Sequence, residues 1–353
     1  MSHLTYLEAS VVGLVQGVTE LFPISSLGHN VLIPALIGGS WANDLSVAKA
    51  ESPYLAYIVG LHVATAIALL IYFWQDWIRI IKGFFTSIRD RRAETADQKL
   101  AWMIILATIP VGLVGLAFEH EFRVLFGKPI RAAIFLLVNG VIMYAGEKFR
   151  SRASLKADAE LAESRERASG PGEHGVPGGA GVAGQRGGPG ERGSGYGQPE
   201  RVAASHASGQ RAVRQLEHSR ALRADERLAQ AGYLQAVVIG CAQILALLAG
   251  ISRDGVTMVA GMARGLSRED AARFAFLLAT PVILAAGVLK YNDLIVKGRG
   301  IYGPILVGSI LSGLGAYVSV RFLVKYFQTR TLTPFAIYCV LAGLGSIIYL
   351  SVK

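Results

Sequence analysis

Charge is scarce in this chain: of 353 residues only 17% are Asp, Glu, Lys or Arg, against about 25% in an ordinary soluble domain. With 52% hydrophobic residues beside so few charges, a water-soluble globular surface is excluded and a lipid surround is expected. Cysteine is nearly absent. Cys241 and Cys339 both fall in apolar segments without metal-ligand spacing, which argues against a disulfide, and two small buried hydrophobes are expected. The opening residues MSHLTYLEAS lack a basic n-region and a small-residue cleavage site, so a retained N-terminus rather than a cleaved signal peptide is expected. The net charge of +10 is not gathered into an aromatic-laced patch. Lys and Arg lie mainly between apolar runs, a pattern that membrane topology explains without nucleic acid.

What the chain does have is apolar runs of membrane-spanning length, roughly 20 residues at 1.5 Å each. The first stretch, 7–38, is interrupted by Gly13, Gly17, Pro23, Gly28 and Pro34 and reads as a broken, re-entrant hairpin. Uninterrupted crossings follow at 53–74, 101–118 and 131–147. Residues 148–230 then turn charged, Ala-rich and, in the middle, dense in Gly and Pro. Such a composition cannot bury enough apolar surface to offset ordering, and it lacks the strict Gly-X-Y period of collagen. A largely disordered insert is expected there, with solvated helices at its flanks, 151–168 and 208–229.

The opening pattern returns after the insert: an interrupted stretch at 232–264, then crossings near 270–290, 303–323 and 334–351. The expected fold is therefore an all-α polytopic membrane protein with an inverted-topology repeat. Its parts are a first membrane repeat over 1–147, the insert, and a second repeat over 231–353. A unit with an odd number of crossings places its copy upside down, and the broken helices of such repeats meet near the midplane. Non-helical backbone at that depth is tolerated only inside protein or along a wet cavity. Arg79, Lys82, Arg89, Arg91, Arg92 and Lys99 lie on one side with Arg321, Lys325 and Arg330, so that side and the insert are expected to be cytoplasmic and the termini external.

The first hairpin reads QGVTELFPISSLGH from Gln16 to His29. A carboxylate at mid-bilayer costs about 2.5–3.5 kcal/mol even on insertion scales, so Glu20 needs a partner or a wet cavity. The second hairpin reads LLAGISRDGVTMVAG from Leu247 to Gly261. Its guanidinium, hydroxyls and glycines outline a phosphate pocket, since an Arg fork and helix N-termini both suit that anion. Together the hairpins offer a nucleophile, a base, an acid or metal ligand and an anion clamp, the parts of phosphoryl transfer.

These motifs resemble those of the undecaprenyl pyrophosphate phosphatase family, also known for bacitracin resistance. Gln16 and Glu20 match its (E/Q)xxxE stretch, and Pro23, Ser25, Ser26, Gly28 and His29 its PxSSxGH. Gly250, Ser252, Arg253 and Thr257 match its PGxSRSxxT. Leu27, Ala249 and Asp254 depart from the usual Thr, Pro and Ser. The resemblance implies a bacterial plasma-membrane enzyme that hydrolyses undecaprenyl pyrophosphate to undecaprenyl phosphate and phosphate, recycling the lipid carrier of cell-wall synthesis, with a divalent cation, Mg2+ or Ca2+. On that resemblance Ser26 is the nucleophile with His29 as its proton partner, direct attack by His29 being the internal rival. Glu20 orients His29 or holds the metal, with Gln16 beside it. Arg253, Ser252, Thr257, Gly250 and Ser25 bind the pyrophosphate. The expected partners are the lipid substrate and the bilayer, with a homodimer left open and no nucleic acid, and the site is expected to be reached from the external face.

Other polar residues have plainer readings. His62 in its apolar crossing reads as structural, Ser267 and Asp270 as a helix cap, and Glu147 and Lys148 as interfacial charges. The rival classes are a polyprenyl-lipid transporter or flippase, for which inverted repeats are a usual architecture, and a weakened lipid-binding paralogue.

Overall fold

A computed structural model describes residues 4–45, 53–118, 121, 128–168, 219–298 and 300–352; most of the expected disordered insert lies outside them. The helices, in chain order, are α1 (Tyr6–Leu21), α2 (Ser26–Ile37), α3 (Gly39–Asp44), α4 (Pro53–Tyr72), α5 (Trp74–Asp90), α6 (Ala96–Ala117) and α7 (Pro129–Ala168). They continue as α8 (Ser219–Ala231), α9 (Tyr233–Ala242), a 3-10 turn (Gln243–Leu247), α10 (Arg253–Ala263), α11 (Arg268–Leu289), α12 (Tyr291–Lys297), α13 (Tyr302–Thr329) and α14 (Thr333–Val352). Among the described residues six helices are long and apolar enough to cross a membrane: α4, α6, the part of α7 up to Arg152, α11, α13 and α14. The protein is thus an all-α, multi-pass membrane protein. Its outward side chains fit that medium: Leu113, Leu314 and Leu341 are all more than 60% exposed.

Residues 1–151 and 225–353 belong to one compact unit; 152–224 form a second, of which the described parts are helical. Within the first unit the two halves interlock reciprocally. The hairpin helix α1 crosses α13 so closely that a Cβ on Gly13 would lie 2.5 Å from the Gly308 carbonyl oxygen. The other hairpin helix, α9, crosses α6 in the same way, with Gly240 against the backbone of Ala107. Small residues permit these approaches where lipid offers no hydrophobic driving force between helices. Thr5 starts α1 with a capping box to Glu8, and Thr95 starts α6 with one to Gln98.

The basic stretch after α4 is a helix rather than a loop. In α5 the apolar Ile78, Ile81, Phe85 and Ile88 recur at helical spacing and stay exposed, as in a helix lying along a membrane interface. It returns the chain to α6, so Pro53 and Ala117 end on one face and α5 sits on the other. Arg79 of α5 donates to Asp76 at 2.6 Å, Asp97 at 2.8 Å and Asp225 of α8 at 2.7 Å. Arg273, near the start of α11, donates to Asp225 at 2.8 and 3.0 Å and pairs with Asp76 at 3.0 Å. This network ties the start of α11 to the α5 face, so Leu289 emerges on the face shared by Pro53 and Ala117. Ser267 caps α11 through the Asp270 N–H as expected, but the Asp270 carboxylate turns to Arg227 instead of closing a capping box. Glu147 also does more than mark an interface, pairing with Arg268 and accepting from the Leu332 N–H.

Candidate active site

Both sequence motifs run across a helix start. Ser25 is the N-cap of α2 and accepts from the Gly28 N–H at 3.2 Å; Ser252 is the N-cap of α10 and accepts from the Gly255 N–H at 3.2 Å. The two starts touch. The Gly250 N–H donates to Ser25 Oγ at 3.2 Å, and a Cβ on Gly28 would lie 2.9 Å from Gly250 Cα. Gly250 has φ +115°, which side chains rarely adopt, and Ser25 itself has φ 68°, a conformation that persists only where its surroundings enforce it. Asn139 of α7 enforces the pairing from behind, donating to the Pro23 carbonyl at 3.1 Å and accepting from the Ser252 N–H at 3.0 Å. Two positive helix ends therefore converge on one spot, an arrangement suited to an anion.

Glu20 is the hub. Its side chain is only 2% exposed. Oε1 accepts from Arg253 Nη2 at 2.6 Å. Oε2 accepts from Ser26 Oγ and from Gln16 Nε2 at 2.9 Å, and lies 3.4 Å from His62 Nε2. The carboxylate that sequence reading left needing a partner thus finds a guanidinium 233 residues away. Glu20 contacts Ser26 directly and does not orient His29.

His29 is placed differently from expectation. Its Nδ1–H donates to the Ser25 carbonyl at 2.7 Å, which leaves Nε2 of the neutral ring to accept from the Tyr338 hydroxyl at 2.7 Å. The Tyr338 ring stacks on it with centroids 5.8 Å apart. Because α2 begins at Ser26, His29 sits on its first turn, with both nitrogens drawn to groups other than Ser26. The Thr257 hydroxyl donates to the Arg253 carbonyl at 2.7 Å within α10. Asp254 is buried, 2% exposed, in the first turn of α10, where a carboxylate meets the positive helix end. Sequence reading passed over Asn139 and Tyr338, which lie inside continuous apolar crossings, and set His62 aside as structural.

The donor set argues against a resident divalent cation on Glu20 and Gln16. Glu20 already accepts from a guanidinium, a hydroxyl and an amide, and Gln16 Oε1 accepts from Asn30 Nδ2 at 2.6 Å. A cation there would displace the Arg253 guanidinium. Among the described residues no cluster of three His, Cys, Asp or Glu side chains is poised to hold a metal. Gln16 and Glu20, engaged in this way, do not fit a divalent cation.

Beside the hub lies a mostly apolar cavity of about 350 Å³, lined by Leu27, Val31, Val111 and Ile283 and reached by His62, Gln243 and Arg253. Its lining follows α4 from Leu55 to His62 and α11 from Val282 to Gly287, ending at Lys290 just beyond that helix. The cavity therefore runs from the face opposite α5 inward to the hub. Its size falls in the range typical of small-molecule sites.

A profile of the family described as "Bacitracin resistance protein BacA" matches residues 9–167 and 206–345, leaving out the Gly-rich centre of the insert. A protein named undecaprenyl-diphosphatase from Mycolicibacterium paratuberculosis is 53% identical over 353 residues, covering 100% of this chain and 99% of its own. Undecaprenyl-diphosphatase 2 of Frankia alni is 53% identical over 348 residues, 97% of each chain. Undecaprenyl-diphosphatase 2 of Burkholderia lata is 35% identical over 333 residues, 94% of this chain and 92% of its own.

Proposed function

The chain belongs to the bacitracin resistance protein BacA family, and from that premise we propose that it is an undecaprenyl-diphosphatase. It hydrolyses undecaprenyl pyrophosphate to undecaprenyl phosphate and inorganic phosphate, returning the lipid carrier to peptidoglycan synthesis; bacitracin resistance goes with this family. The observation that supports a chemical rather than a transport role is the Ser26–Glu20–Arg253 contact at two converging helix starts.

In the proposed reaction the terminal phosphate sits at the starts of α2 and α10, where backbone N–H groups and the further N–H groups of Arg253 neutralise its oxygens. Ser26 Oγ attacks the terminal phosphorus as its proton passes to Glu20 Oε2, which it already touches. The bond to the bridging oxygen breaks and undecaprenyl phosphate departs. Water then breaks the Ser26 Oγ–phosphorus bond, releasing inorganic phosphate and restoring the hydroxyl and carboxylate. The contacts of Glu20 favour it over His29 as the base for Ser26. His29 acts instead as a positioning residue, holding the Ser25 carbonyl and Tyr338.

The cavity supports access from the face opposite α5. With the basic α5 side taken as cytoplasmic, we place the chain in the bacterial plasma membrane with the diphosphate entering from the external side. The test is phosphate release from undecaprenyl pyrophosphate by purified protein in detergent. The wild type releases phosphate, and Ser26→Ala and Arg253→Ala do not, although Ser26→Ala still binds the lipid. A folded, lipid-binding wild type that releases none would return the transport reading.

A further inference from the structure

Three buried side chains at the hairpins carry unpaired polar atoms, Asn30 at Oδ1, Asp254 at Oδ2 and Gln243, and of these Gln243 is unpaired at both. It is 1% exposed, and among the described residues neither its amide nitrogen nor its amide oxygen has a hydrogen-bond partner. An unpaired buried amide costs on the order of 1–3 kcal/mol, so it calls for a ligand or another compensation. Its place in the motif sharpens the question. Gln243 precedes Ser252, the N-cap of α10, by nine residues, and Gln16 precedes Ser25, the N-cap of α2, by the same nine. Gln16 is fully engaged, donating to Glu20 and accepting from Asn30. Its counterpart in the second hairpin instead lines the cavity together with Arg253 and His62.

We propose that Gln243 is a substrate-binding residue whose carboxamide N–H groups hydrogen-bond the lipid-linked phosphate of the polyprenyl diphosphate, while the cavity takes the first isoprene units. This rests on the phosphatase reading above and extends it. The chemistry matches: the cavity is apolar along the face of α11 that includes Ile283, and it is bordered by Gln243 and Arg253, whose side chains carry N–H donors. A diphosphate joined to a hydrocarbon chain needs both in one place. With the terminal phosphate at the helix starts, the lipid-linked phosphate falls on the cavity side of the scissile bond. The amide is neutral, so it binds this phosphate before and during bond breaking and lowers KM rather than raising kcat.

The test compares Gln243→Leu and Gln243→Glu with the wild type in phosphate release from undecaprenyl pyrophosphate, over a full range of substrate concentration and with a melting curve for each. Loss of a hydrogen bond to a charged group predicts a KM raised about ten- to hundredfold in Gln243→Leu with kcat little changed. Gln243→Glu raises KM further, because a carboxylate faces the phosphate. The melting temperature of Gln243→Leu stays at or above that of the wild type, since the change removes an unpaired amide. Inorganic pyrophosphate serves as a second probe, and its inhibition constant rises in both variants if the amide meets phosphate. Unchanged KM in two folded, active variants would overturn the proposal, as would a fall in melting temperature with kcat and KM unmoved, which marks a structural amide. Either leaves the phosphatase reading intact, whereas a wild type that releases no phosphate would sink that reading first.

Discussion

Replacing Glu20 by Gln keeps the shape of the hub and removes its charge. In the wild type one carboxylate accepts from Ser26, Gln16 and Arg253. The amide retains one acceptor oxygen, turns a donor toward groups that are themselves donors, and cannot take the Ser26 proton. Loss of a general base costs about 10²–10⁴ in rate, which at 1.36 kcal/mol per tenfold is roughly 3–5 kcal/mol on the barrier. The stability cost is smaller. Breaking a fully buried ion pair costs about 3–5 kcal/mol, but the Arg253 side chain is 20% exposed, so solvent takes up part of that loss. Freed from Glu20, the guanidinium turns all its donors to the diphosphate, and KM stays level or falls. Steady-state phosphate release with a melting curve should therefore show a collapsed kcat, an unraised KM and a modestly lower melting temperature. A folded Glu20→Gln enzyme with kcat near the wild-type value would refute Glu20 as the base, and a raised KM with kcat preserved would reassign it to substrate binding.

Two further perturbations probe the frame around the hub. Gly28→Val places a branched side chain where even a Cβ would lie 2.9 Å from Gly250 Cα. It should separate the two helix starts, lose the Gly250 N–H to Ser25 bond and abolish phosphate release, with about 1–3 kcal/mol of overpacking seen in thermal melts. Arg79→Ala leaves Asp225, 1% exposed, and Asp76, 8% exposed, sharing Arg273 as their one cation among the described residues. A loss of about 3–5 kcal/mol is expected, read as a fall in melting temperature, with kcat of the surviving folded fraction unchanged because the network lies on the α5 face, away from the hub.

Much of this was legible in the sequence because membrane burial makes polar residues expensive. Gly and Pro breaks marked the first hairpin and Gly breaks the second, and Ser25, Ser26, Ser252 and Arg253 stood out against apolar neighbours. Cross-half pairing was not legible. Glu20 and Arg253 meet only because the two hairpins converge, and neither local pattern names the other. The family resemblance implied Ser26 and His29 as a proton pair, but the chain turns helical at Ser26 and the imidazole goes to the Ser25 carbonyl and Tyr338. His62 gave no signal, since a lone imidazole in an apolar helix has the same surroundings in sequence whether or not a carboxylate faces it. The interfacial helix α5 was masked by its charges, which draw attention to loops although Ile78, Ile81, Phe85 and Ile88 keep helical spacing.

The central claim is that Ser26, activated by Glu20, carries the phosphoryl group between lipid and water. Rapid acid and alkaline quenching of the protein with undecaprenyl pyrophosphate, followed by peptide mass spectrometry, tests it most directly. The account predicts an acid-stable phosphoryl group on Ser26 that accumulates in the wild type and is absent from Ser26→Ala. A phosphoryl group on His29, or steady turnover by Ser26→Ala, would contradict it.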